Sequence, residues 1–137
     1  MRSVIRQSVV LSAPPDELFA MYLDPVAHAA FTGSPVTIGA EPGSPFAAFG
    51  GALSGTLLEA IRPQLIVQSW RSTNFASDDP DSTLVLLFAP VAVAGGGRID
   101  LVHVDVPEQD YQGVTQGWEN FYWTPWRRYL EQRAPPG

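Results

Sequence analysis

Two histidines, a buried-looking amide and a few carboxylates are the groups of this 137-residue chain that could do chemistry. His103 comes first. It alternates with Ile99 and Leu101 in the run IDLVHVDV, so on a strand all three share one face. An imidazole titrates near neutral pH and can hydrogen-bond a ligand or move a proton. The competing reading is a core histidine that fixes a strand to a helix. It weighs more, because no neighbouring carboxylate or serine in sequence suggests a dyad. His28, in an alanine-rich stretch, reads as a surface or cavity-mouth residue without a catalytic role. Gln68 shares a face with Ile66 and Trp70 and would need a partner if that face is buried. Asp78, Asp79 and Asp81 lack the central glycine and terminal glutamate of a calcium loop, so they read as a solvated loop. Asp16 and Glu17 suit the start of a helix better than acid/base work. GGALSG and AGGG have neither the lysine nor the strand-to-helix setting of a phosphate loop, and read as hairpin turns. Cysteine is absent, which removes disulfides, thiolate zinc sites and a cysteine nucleophile together. No metal or cofactor is expected.

The elements that must position these groups are legible in the periodicity. Residues 4–11 alternate as a first strand, and APPDELFAMYLDP then changes to helical spacing, opened by prolines and ended by Pro25. The run VAHAAF adds another turn or two. Glycine- and proline-rich turns then separate short strands at 36–38, 45–49, 53–61 and 65–71, the last two forming a hairpin across Arg62-Pro63-Gln64. TLVLLFAP and IDLVHVDV are two further strands, and the chain is acidic and loop-like from Pro107 through Gln112. The longest helix follows, in GVTQGWENFYWTPWRRYLEQR. Trp118, Tyr122, Pro125 and Tyr129 fall on one stripe of it, flanked by Phe121 and Trp126. Pro125 should bend it or weaken one turn, and the final Pro-Pro-Gly should stop it. Trp123 and Leu130 fall beside the stripe, exposed or available for a homodimer contact. Strands and helices segregated in this order indicate one α+β domain over residues 1–137, with a curved antiparallel sheet around a long C-terminal helix.

Composition narrows the partners. A hydrophobic content of 45% with 16% charged residues fits a globular chain. The formal net charge is −6 and all eight cations are arginines, none clustered beyond the pair Arg127-Arg128, so nucleic acid is excluded as a partner. No run approaches 18 apolar residues and the start lacks a signal-like core, which leaves the cytoplasm as the expected location and no membrane span.

Taken together, APPDELFAMYLDP, PGSPF, SGTLLEAIRPQLIVQSWR, DSTLVLLF, GGGRIDLVHVDVP and GWENFYWTPWRRYL resemble the START-like (SRPBCC) superfamily. Within it the chain is similar to the domain named for the activator of the heat-shock-protein-90 ATPase, over nearly its whole length. Family members usually carry a tryptophan where this chain has Phe31, and often a double glycine where it has Gly43-Ser44. The resemblance implies the helix-grip fold, with short helices between strands 1 and 2 and an apolar cavity between sheet and helix. It also implies a histidine at position 103, and that Leu84, Leu86 and Phe88, like Ile66, Gln68 and Trp70, point inward.

The expectation is therefore a non-enzymatic protein that holds a small hydrophobic or aromatic molecule. The residues expected to touch it are His103, Gln68, Trp70, Leu86, Phe88, Leu101, Trp118, Phe121 and Tyr122. Two alternatives stand beside it. One is a cyclase- or dehydratase-like enzyme using His103, and the other is a protein-interaction module acting on a chaperone ATPase.

Overall fold

The computed structural model describes residues 2–133. The Pro-Pro-Gly stop at the end of the chain lies outside them. The chain runs β1 (Arg2–Leu11), α1 (Pro15–Leu23), α2 (Pro25–Thr32), β2 (Val36–Thr37), β3 (Pro45–Ala48), β4 (Leu53–Ile61), β5 (Leu65–Ser72), β6 (Ser82–Pro90) and β7 (Gly97–Pro107). A short 3-10 turn (Glu108–Asp110) leads into α3 (Tyr111–Trp118), and a π-helical turn (Glu119–Trp123) joins α3 to α4 (Thr124–Arg133). The seven strands form one antiparallel sheet in the order β1-β7-β6-β5-β4-β3-β2. β1 and β2 are opposite edges, so α1 and α2 carry the chain across the concave face and β2 to β7 then return as a meander. This is the helix-grip arrangement expected from the resemblance. Among the described residues no helix is long and apolar enough to cross a membrane.

Burial alternates along the strands and marks the inner face. On β5, Ile66, Gln68, Trp70 and Ser72 are buried while Leu65, Val67, Ser69 and Arg71 are only half-buried. On β6, Ser82, Leu84, Leu86 and Phe88 are buried, and on β7, Gly97, Ile99, Leu101 and His103. The registers Gln68–Leu84–His103 and Ile66–Leu86–Leu101 run straight across the sheet, so these side chains make one continuous inner surface. Strong curvature needs close strand approach, and Gly55 of β4 permits it. A Cβ there would lie 1.9 Å from the Ser69 carbonyl oxygen.

Two expectations about the C-terminal segment are corrected. Helix begins at Tyr111, inside the stretch expected to be a loop. Its buried row is Val114, Trp118, Tyr122, Trp126 and Leu130, with Trp123 also inside, while Phe121 is 57% exposed and Pro125 and Tyr129 are half-buried. The π turn explains the difference. In a regular α-helix each step of four residues overshoots a full turn by about 40°, so such a row would drift off the sheet. The wider π turn takes in an extra residue and turns the row back. It sits directly before Pro125, whose ring would clash with the carbonyl four residues earlier in a regular helix. Trp123 and Leu130, at 3% and 2% exposure, are core residues and cannot supply a homodimer contact. The Trp123 indole N–H donates to Gln7 Oε1 at 2.7 Å, tying the helix to β1. At the far end, Arg133 reaches Glu17 Oε2 of α1 at 2.6 Å.

Candidate ligand cavity

Most of the space between sheet and helix is filled. Phe31 stacks on Trp126 with ring centroids 4.0 Å apart, and Phe19 packs edge-on to Phe88 at 5.5 Å. Leu86, Phe88 and Leu101 belong to this closed core and face no open space in the cavity described below.

The two histidines are also sealed in, each by a complete set of hydrogen bonds. Ser82 Oγ donates to the Trp70 carbonyl at 2.6 Å, so it accepts from His103 Nε2–H at 2.8 Å. His103 Nδ1 then accepts from the Trp118 indole N–H at 3.2 Å. Trp70 packs edge-on against the same imidazole, 4.6 Å away. Burial without an anionic partner lowers the His103 pKa to about 3, so the ring is neutral near pH 7. Its partner Ser82 comes from the adjacent strand, which is why no dyad was visible in the local sequence.

His28 is fully buried, which corrects its expected place at the surface or the cavity mouth. Its Nδ1–H donates to the Tyr22 carbonyl at 2.7 Å, and its Nε2 accepts from the Tyr122 hydroxyl at 2.8 Å. Burial lowers its pKa to about 4 and raises those of Tyr22 and Tyr122 well above the phenol range. The Tyr22 hydroxyl donates to Gln68 Oε1 at 2.6 Å. Gln68 thus finds a protein partner for its oxygen, while its Nε2 has none among the described residues.

One end of the helix-sheet interface stays open, as a cavity of about 240 Å³. Its floor is Leu53 of β4 with Trp70 and Ser72 of β5, and its wall is the inner face of α3 and the π turn. Phe49 and Phe121 face each other across the rim at 5.5 Å. Phe49 is held there by a turn in which Phe49, Gly50 and Gly51 all take positive φ (53°, 67° and 89°), a conformation that bulky residues rarely adopt. On the helix, Gly113 and Gly117 lie one turn apart and both line the cavity. Glycine inside a helix costs about 1 kcal/mol relative to alanine. A Cβ at Gly117 would meet only Phe121 Cδ2, at 3.8 Å, so packing does not demand glycine there, and its effect is to leave room.

The cavity has one polar corner, made by Ser72, Asn74 and Asp110. Ser72 Oγ donates to Asp110 Oδ2 at 2.6 Å, and Asn74 Nδ2 lies 3.4 Å from Oδ1. The remaining lining is apolar, from Leu53, Val114 and Trp118 to the aromatic rim. A small apolar molecule with one polar group matches that division.

The structure therefore brings four of the nine expected site residues to the cavity: Trp70, Trp118, Phe121 and Tyr122. His103 and Gln68 stand behind that lining, and Leu86, Phe88 and Leu101 lie in the core. The sequence reading missed Phe49, Ser72, Asn74, Asp110, Gly113 and Gly117. Only the glycine pair at helical spacing carried a signal, since a helix that spends two glycines on one face usually needs the space. A second recess, of about 410 Å³, lies between α1 and β4. It is larger but more open, walled by the exposed Asp24, Ala40 and Arg62, and has no aromatic wall beyond Phe19.

Comparison with known proteins agrees with this architecture. A protein of Schizosaccharomyces pombe described as uncharacterized is 32% identical over 71 residues, which cover 52% of this chain and 21% of that protein. The chain thus spans about a fifth of that relative's length. An HSP90 activator from Plasmodium falciparum superposes with a TM-score of 0.75 at 22% identity, covering 86% of this chain and 89% of that one. The protein MLL2253 from Mesorhizobium loti superposes at 0.80 with 16% identity, over 97% and 100% of the two chains. At those identities the likeness is one of fold. The family described as activator of Hsp90 ATPase homolog 1-like protein matches residues 12–131, from the turn after β1 almost to the end of α4, and the chain belongs to that family.

Proposed function

We propose that this protein binds a small hydrophobic or aromatic molecule in the cavity between the β3–β4 turn and α3, without transforming it. The observation that carries this reading is the aromatic-lined cavity of about 240 Å³, kept open by Gly113 and Gly117. A pocket of that size is slightly below the common range of about 300–1,000 Å³ for ligand sites, which favours compact ligands. Proton transfer by His103 is disfavoured, because both ring nitrogens are engaged and the ring is behind the lining.

Mass spectrometry of the natively purified protein, joined to a thermal-shift screen of compact apolar compounds, tests the proposal. Binders should quench tryptophan emission through Trp70 and Trp118. Binding that survives a Gly117→Leu substitution would place the ligand elsewhere, and a screen without a single shift would refute the reading. The family match supports a second reading, contact with a chaperone ATPase. It predicts stimulation of an Hsp90-type ATPase that is unaffected by Gly117→Leu.

A further inference from the structure

The polar corner of the cavity indicates a ligand class, on the reading that the cavity is a binding site. Asp110 is only 5% exposed. It sits just before α3, where a carboxylate ordinarily accepts from the backbone N–H groups of the first turn. It makes no such bond. Its Oδ2 is occupied by Ser72, and its Oδ1 has the one long contact with Asn74. Gly113 keeps the space beside Oδ1 clear, since a Cβ there would lie 3.1 Å from that oxygen.

Among the described residues no cation stands within ion-pair distance of Asp110. Arg71, next to Ser72 in sequence, and Arg2 of β1 are committed elsewhere. Arg71 is held by Asp81 at 3.1 Å and by the Asp79 and Ala76 carbonyls at 2.6 Å, and Arg2 faces Asp79. A nearly buried carboxylate with only neutral donors gains most from a cation that can both charge-pair and hydrogen-bond. The site does not suit a metal ion, because no three potential ligands cluster among the described residues. The surroundings instead suit an organic cation: Leu53, Val114 and Trp118 offer apolar contact, and indole faces favour ammonium groups. The net charge of −6 acts in the same direction.

We infer that the cavity takes a primary or secondary amine carried on an aromatic or aliphatic body, with the ammonium on Asp110 Oδ1 and the body along Trp118 toward the Phe49–Phe121 rim. The test uses three probes of one shape: 4-phenylbutylamine, 4-phenylbutanol and 4-phenylbutyrate. Isothermal titration at pH 7 and low salt should rank the amine first, at least about tenfold tighter than the alcohol, with the acid weakest. Asp110→Asn should remove the amine's advantage over the alcohol, and circular dichroism checks that this variant is folded. The wild-type ranking stands without the variant. Equal binding of amine and alcohol, or preference for the acid, overturns the amine inference and leaves the cavity reading intact. Failure of all three probes overturns the inference and counts against the cavity reading itself.

Discussion

At the scale of single residues, the buried histidines link stability to pH. Both have folded-state pKa values below the ordinary 6.5, about 4 for His28 and about 3 for His103, because burial disfavours the imidazolium. Above pH 6.5 the rings are neutral whether the chain is folded or not, and their full contribution to stability is present. As the pH falls, the unfolded chain takes up protons first, and stability declines until the folded values are reached. The expected slope is at most about 1.4 kcal/mol per pH unit for each ring. Urea midpoints should therefore be level from pH 8 to 7 and fall between pH 6 and 4.5. His103→Asn should remove roughly half of that slope, whatever it does to stability at pH 7, and a profile with no slope in that window would contradict the neutral buried rings. The same substitution leaves the Trp118 indole N–H or Ser82 without its partner, and should cost about 2–3 kcal/mol at pH 7.

At the scale of elements, the π turn decides which aromatics hold the molecule together. A regular helix through Pro125 would put Tyr129 on the main stripe with Phe121 flanking it, and leave Trp123 and Leu130 beside it. The observed turn reverses that ordering. Trp123→Ala should accordingly destabilise by about 3–5 kcal/mol, since it empties a core position and strips Gln7 of a donor. Phe121→Ala should cost less than about 1 kcal/mol while weakening ligand binding at the rim. Equal costs for the two in chemical denaturation would mean that the helix continues without a π turn. On β4 the decisive residue is Gly55. Any side chain there must push the Ser69 backbone away, so Gly55→Ala should destabilise by about 3 kcal/mol, read from the same denaturation experiment.

At the scale of the whole molecule, the open cavity is a place where helix stability is given up. Gly117→Ala should raise stability by roughly 0.5–1 kcal/mol, because its methyl group meets only the edge of Phe121 at an ordinary contact distance. Gly117→Leu should fill the space and abolish binding while the protein stays folded. Differential scanning calorimetry with and without a bound probe separates the two effects. How much of this was readable beforehand follows from the range of each interaction. Strand alternation, the proline-opened first helix and the turn punctuation are local, and they determined the element order and which side chains share a strand face. That the face carrying Gln68, Trp70 and Leu86 points inward was implied by the family resemblance, because alternation alone leaves the two faces equivalent. Hydrogen-bond partners are not local. Ser82 reaches His103 from the next strand, Tyr122 reaches His28 across 94 residues, and Ser72 reaches Asp110 across 38. The expectation of an apolar space between helix and sheet could be formed from amphipathic patterns and resemblance alone. Its position depended on how completely large side chains fill the interior, and that filling is a property of volumes meeting in three dimensions. Tertiary packing closed the space around Leu86, Phe88 and Leu101 and left it open beside Trp118, where two helical glycines and a turned-away Asp110 keep it free.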